Sequence, residues 1–234
     1  MTEDRKLFVD DLAFEVRLSP ARNTVQITVD RDGSLLLSAP KSCTNETMAE
    51  FVREKRMWIY SKLAEKDGLR SAVPAKKYVD GEGFPYLGRS YRLRLVEEQD
   101  TPVKLVQGRF CMRRAVAEDG RRQMIRWYTE HALTWLKRRV AEYQGRIGAS
   151  PAVVTVQDLG FRWGSCGTGG RVNFHWQTIL LPPRAIDYVV VHELVHLIEP
   201  HHTPEFWRRV ERVLPDYEER KRWLAERGDA ATAV

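Results

Sequence analysis

A chain of 234 residues that is 43% hydrophobic and 30% charged has the make-up of a globular protein with one or two cores, which excludes global disorder. The net charge of +6 permits an acidic partner such as nucleotide or nucleic acid, but 32 acidic residues are interspersed among 38 basic ones, and solvation explains such a mixture equally well. No apolar run approaches the length of a membrane span, and Met1-Thr2-Glu3-Asp4-Arg5-Lys6 leads into mixed sequence without a secretory apolar core, so no membrane partner and a cytoplasmic location are expected.

The first part reads as β-rich. Phe14, Val16 and Leu18 alternate, as do Val25, Ile27 and Val29, and a period of two buries one face of a strand. Asp30-Arg31-Asp32-Gly33 supplies turn residues before Leu35-Leu36-Leu37. After Ala39-Pro40 the spacing becomes helical through Met48, Phe51, Val52, Ile59 and Leu63, with Thr44 or Asn45 as cap and Gly68 as stop. Tyr91, Leu93 and Leu95 alternate again, between turns at Gly88 and Gly108.

From about Arg122 to Gln144 a long amphipathic helix is expected, with Ile125, Tyr128, Ala132, Trp135, Leu136, Val140 and Tyr143 as its apolar stripe and Gly145 and Gly148 ending it. A strand (Val153 to Val156), a glycine-rich loop (Gly160 to Gly170), another extended segment and three helices follow. No internal repeat is visible. The pattern predicts an α+β fold: residues 1–118 a β-rich N-terminal half with one helix, 119–228 a helical half carrying the chemistry, and 229–234 a frayed tail.

The cysteines Cys43, Cys111 and Cys166 are odd in number and far apart, which argues for free thiols in a reducing compartment. No Cys-x-x-Cys pair exists, so a zinc ribbon or thioredoxin-like site is excluded by spacing. The chemistry instead gathers at His192-Glu193-Leu194-Val195-His196. On a helix, residues four apart lie one turn apart on one face, so both imidazoles reach one metal ion while Glu193 points aside as a general base. Ile186, Val189, Val190, Val191, Leu194, Val195, Leu197 and Ile198 make the segment apolar almost all round, between Pro182-Pro183 and Pro200, which predicts a short buried helix of about four turns. Burying two imidazoles and a carboxylate there without a metal would cost several kcal/mol of desolvation.

A catalytic zinc needs a third protein ligand and an open position. His202, six residues after His196, is favoured; His201 and Glu205 are the rivals. The six-residue spacing is also that of metzincins, but Glu199 stands where they have glycine. Glu199 shares the face of His192 and His196 and either orients a ligand or is simply solvated. Thr203-Pro204-Glu205 opens a further helix, and Phe206, Trp207 and Val210 pack it. The run Gly164-Ser165-Cys166-Gly167-Thr168-Gly169-Gly170 lacks the Lys-Ser/Thr ending of a P-loop and the third glycine of a dinucleotide fingerprint, so it reads as a tight structural loop with Cys166 as packing.

The residues resemble the YgjP/WLM-like zinc metallopeptidases, related to minigluzincins and grouped beside SprT-like proteases. The resemblance rests on Arg162-Trp163-Gly164-Ser165-Cys166, Ile179-Leu180-x-Pro182-Pro183, the run from Ile186 through His196, and His202-Thr203-x-x-Phe206-Trp207. It extends more weakly through Ala39-Pro40, Phe51 to Lys55 with Trp58-Ile59, and Tyr86-Leu87-Gly88. It implies a zincin-like metallopeptidase half with an active-site helix, zinc held by His192, His196 and His202, Glu193 as the catalytic residue, and a protein or peptide substrate. His175 and Gln177 depart from the asparagine and arginine common around the tryptophan after the Gly-Ser-Cys loop. His175, Tyr188 and Arg162 are candidate oxyanion donors. Two other functions compete. One is a nucleoside triphosphate (UTP) pyrophosphatase, an activity the resemblance also implies. The other is a nucleic-acid-associated binding module with structural zinc, for which the warrant is the basic stretches Arg122 to Arg146 and Arg208 to Arg222.

Overall fold

The computed structural model describes residues 5–29, 34–69, 76–160 and 162–231, and within it the chain divides into two compact units, residues 1–72 and 73–234. The turn expected at 30–33 and the last three residues of the expected tail lie outside the described residues.

In the first unit, β1 (Arg5–Val9), β2 (Leu12–Ser19), β3 (Gln26–Val29) and β4 (Leu35–Pro40) form a sheet of order β1-β2-β4-β3, with β2 and β4 parallel and both edge strands antiparallel. Alternation in β2 buries Leu12, Phe14 and Val16 on one face. That face shares a core with Met48 and Val52 of α1 (Asn45–Glu54) and Ile59 of α2 (Arg56–Leu69). Thr44 caps α1, its hydroxyl oxygen accepting from Thr47 N–H at 3.2 Å, as expected. The single helix expected here is broken at Lys55, whose backbone leaves helical geometry, and α2 ends at Leu69, one residue after the stop expected at Gly68.

In the second unit, β5 (Gly83–Tyr86), β6 (Arg89–Val96), β7 (Val103–Val106) and β8 (Arg109–Arg113) form a sheet of order β5-β6-β8-β7, with β6 and β8 parallel and the edges antiparallel. The long helix α3 (Gly120–Ile147) covers it; Phe110 meets Trp127 edge-on at 4.9 Å and Tyr128 at 5.9 Å, and the Tyr128 hydroxyl donates to the Pro85 carbonyl at 2.8 Å. The division expected near residue 118 therefore falls inside this unit, between a sheet and the helix that closes its core. The two four-stranded sheets have the same strand order, the same central parallel pair and the same helix following. A repeat unseen in the sequence is thus present in topology, because alternating apolar positions specify a strand without specifying particular side chains.

The rest of the second unit carries the motifs. β11 (Arg171–His175) lies between β10 (Gly164–Gly167), antiparallel to it, and β9 (Val153–Gln157), parallel to it. α4 (Pro183–Val195), α5 (Pro204–Val213) and α6 (Tyr217–Ala231) follow, so α6 runs on past residue 228, where the tail was expected to fray. Strands thus dominate the first half and helices the second, the α+β arrangement expected. Among the described residues no helix is long and apolar enough to cross a membrane.

Two features fix α4 in place. Arg139 of α3 grips Asp187 with both carboxylate oxygens engaged at 2.7 Å, and Arg220 of α6 stands 3.8 Å from the same carboxylate. The β5–β6 turn docks on the segment leading into α4: Leu87 N–H donates to Ile179 O at 2.9 Å and Gly88 N–H to Leu180 O at 3.0 Å. Gly88 has φ +74°, and a Cβ there would lie 2.8 Å from Pro182 Cα. Gly88→Ala should lower stability by about 2 kcal/mol or more, read as a lower urea midpoint; an unchanged midpoint would contradict this docking.

Candidate metal centre

Helix α4 begins with Pro182 at the cap and Pro183 at the first position, where a missing N–H costs nothing. Residues Ala185 to Val191 are all buried, so the helix runs through the core and not along its surface. It closes at His196, after which Leu197 and Ile198 donate to the carbonyls three residues back, at 3.1 and 3.0 Å. The helix has the length of about four turns expected, and this tightened turn swings the chain through Pro200 and brings His202 back toward α4. Thr203 then caps α5, its hydroxyl accepting from Phe206 N–H at 3.3 Å, with Pro204 at the first position.

The result is a convergence of three imidazoles. The Nε2 atoms of His192, His196 and His202 lie 3.2, 3.1 and 3.0 Å from one another. Three lone pairs aimed at one point repel unless a cation lies between them. A tetrahedral zinc with Zn–N of about 2.0–2.1 Å sets its nitrogens about 3.3 Å apart, so the donor set fits such an ion. His196 Nδ1 donates to the Glu199 carbonyl at 3.1 Å, which leaves its Nε2 as the lone-pair nitrogen. It is the backbone carbonyl of Glu199, and not its carboxylate, that orients the ring. His192 Nδ1 is buried with no partner among the described residues, so Nε2 is that ring's polar contact.

Aromatic packing holds the third histidine. The His202 ring stacks on Trp207 at 5.6 Å and 20°, and Phe206 stands edge-on to it at 4.8 Å. Burial, then the neighbouring rings and Lys221, push His192 down to about 3, and burial lowers His196 and His202 as well. All three rings thus tend to the neutral, ligating form. The rival candidates are not part of this group: Glu205 is paired with Arg208 at 2.9 Å and Arg209 at 3.3 Å, and His201 does not join the cluster.

Glu193 is buried beside the cluster, and desolvation pushes its carboxyl up to about 8. Strand β10 passes directly over it. A Cβ on Gly164 would fall 2.6 Å from Glu193 Cγ and 2.8 Å from its Oε1, so only glycine admits the carboxylate here. The segment read from sequence as a structural loop is therefore partly a strand, and its first glycine is a clearance for Glu193. Periodicity could not reveal this; only the run Trp163-Gly164-Ser165-Cys166, as a motif, marked it.

A cavity of about 280 Å³ opens beside the cluster, lined by Trp163, Gly164, Tyr188, Val189, His192, Glu193, Lys221, Leu224 and Ala225. Of the candidate donors, Tyr188 lines it, with burial pushing its hydroxyl up to about 12, so it remains a donor. Arg162 acts on Glu193 electrostatically, lowering its carboxyl against the larger effect of burial. His175 does not line the cavity; its Nε2 faces Asp158 at 3.2 Å and its Nδ1 accepts from Gln177 N–H at 3.0 Å. Cys166, half-buried, has its thiol pushed up by burial and by Glu193, and so stays neutral. Lys221, read in the sequence only as part of a basic stretch, and Leu224, which the sequence reading passed over, come from α6.

Among solved structures, the metallopeptidase zymogen abylysin of Pyrococcus abyssi is 22% identical over 39% of this chain and 93% of its own, with a TM-score of 0.36, a likeness too slight to define the fold. No curated protein matches. The profile of the YgjP-like metallopeptidase domain matches residues 23–227, a span that takes in the three histidines, Glu193 and the strand above them. The chain belongs to the YgjP-like metallopeptidase family.

Proposed function

We propose that this protein is a zinc-dependent peptidase in which His192, His196 and His202 hold the metal and Glu193 is the general base. The observation that carries the reading is the mutual approach of three Nε2 atoms to 3.0–3.2 Å beside a buried, desolvated carboxylate. Zinc held by three neutral histidines supplies Lewis acidity and lowers the pKa of a coordinated water to about 7.

The chain's own residues do the rest. Glu193 accepts the proton of the attacking water on its carboxylate and delivers it to the amine that leaves. Its burial keeps competing solvent away, and its raised proton affinity suits a base that must hold a proton between the two steps. Tyr188, kept protonated, donates a hydrogen bond into the cavity where a carbonyl oxygen gains charge. The Glu199 carbonyl fixes the His196 ring, and Trp207 fixes that of His202.

Purified protein should bind one zinc per chain, measured by elemental analysis, and His192→Ala, His196→Ala and His202→Ala should each lose it. Full occupancy in all three variants would sink the ligand assignment. Glu193→Gln should keep zinc and lose peptide hydrolysis by about 10²–10⁴-fold; unimpaired turnover would remove Glu193 from the mechanism. Gly164→Ala should also keep zinc while turnover falls by about a hundredfold, through displacement of the carboxylate. Undiminished turnover would mean that β10 does not constrain Glu193.

Without metal, Glu193 has a raised folded-state pKa of about 8 against an ordinary 4.5. Its contribution to stability is therefore fully present below about pH 4.5 and is lost as pH rises through about 8. Glu193→Gln should raise the melting temperature of the metal-free protein at about pH 8.5 and leave it nearly unchanged at about pH 4.5. Equal shifts at both would contradict the burial of that carboxylate.

A further inference from the structure

Lys221 differs from its neighbour on α6. Arg220 is held by Asp216 at 2.8 Å and lies 3.8 Å from Asp187, whereas Lys221, like Arg222 and Arg227, makes no ion pair among the described residues. It is not a freely swinging surface lysine either. Its ammonium rests over the Trp207 ring, 4.1 Å from the centroid, and Trp207 is itself stacked on His202 and, at 5.5 Å and 19°, on Tyr217. Lys221 also lines the cavity that includes His192 and Glu193. Its presence there already reaches the cluster electrostatically, at both His192 and His202.

The rest of the lining narrows what this charge can meet. Trp163, Val189, Leu224 and Ala225 are apolar, and Lys221 is the one cationic side chain among the lining residues. The volume of about 280 Å³ lies just below the range of about 300–1,000 Å³ usual for ligand pockets, enough for one amino-acid residue. A polyphosphate would bring several negative charges to a single ammonium. A carboxylate brings one. One cation on an aromatic platform, bordering the apolar wall of Trp163, Val189, Leu224 and Ala225, is matched by one monovalent anion on an amphipathic residue.

We propose that Lys221 is a specificity-determining residue that selects peptides bearing a carboxylate next to the bond to be cut. The carboxylate comes either from an acidic side chain or from the peptide's own C-terminus. The inference rests on the peptidase reading for what it selects, but its test reads binding as well as turnover.

The probes are fluorescein-labelled, alanine-rich hexapeptides carrying one Glu or one Gln, each as the C-terminal acid and as the amide. Their binding to the zinc-loaded Glu193→Gln protein is followed by fluorescence anisotropy. Carboxylate-bearing peptides should bind about fivefold or more tighter than neutral counterparts. In protein that also carries Lys221→Met, the preference should vanish while zinc content and far-UV circular dichroism stay the same; Lys221→Gln serves if the methionine variant folds poorly. Lys221→Glu should turn the preference toward a peptide carrying one Lys. A Glu-over-Gln preference identifies the side chain, and an acid-over-amide preference identifies the C-terminus.

Equal binding of charged and neutral peptides, or a preference that persists in Lys221→Met, overturns the proposal. Binding of inorganic tripolyphosphate, read by isothermal titration calorimetry, with no peptide binding overturns it in favour of a phosphate site. Hydrolysis of these peptides by the wild type without charge preference defeats this inference alone. Lys221-dependent binding without any hydrolysis defeats the peptidase reading alone.

Discussion

Everything at this site depends on bringing three imidazole lone pairs to one point in an apolar interior. Two of them come almost directly from helical geometry, since His192 and His196 are one turn apart on α4. The third depends on a chain reversal within six residues, which the tightened turn after Val195 and the capped start of α5 accomplish. Without a cation these nitrogens oppose one another, and the group could hold one. The helix that carries two of them is anchored accordingly: Asp187 is held by Arg139, and the segment before Pro182 is held by the β5–β6 turn. Removing one partner from that buried pair would leave an uncompensated charge beside the site.

Burial does two things here that look opposed. It lowers the proton affinity of the histidines and raises that of Glu193, because in each case the charged form is the one disfavoured. The imidazoles are thereby kept neutral and the carboxyl kept ready to hold a proton. A single environment thus shifts the two kinds of group in opposite directions, although His192 and Glu193 are adjacent in sequence.

Much of this was legible in the residues. The His-Glu-x-x-His spacing, the flanking prolines and the Thr203-Pro204-Glu205 start of α5 each have a local physical meaning, and each appears in the structure as read. His202 was favoured over His201 and Glu205 partly on the family resemblance, and the structure brings His202 to the cluster while arginines engage Glu205. What remained hidden depends on tertiary approach. Gly164 looks like a loop residue until a strand is seen crossing Glu193, and Lys221 looks like solvated charge until Trp207 is seen beneath it. The matching topology of the two four-stranded sheets was hidden for another reason: strand order leaves no imprint on local periodicity.

The account turns on the make-up of the metal's coordination sphere, and zinc K-edge X-ray absorption of the zinc-loaded protein reads it directly. The account predicts three imidazole nitrogens and one oxygen at about 2.0–2.1 Å, with no sulfur. A sulfur shell at about 2.3 Å, as Cys166 would give, or four protein ligands with no oxygen from solvent, would contradict it.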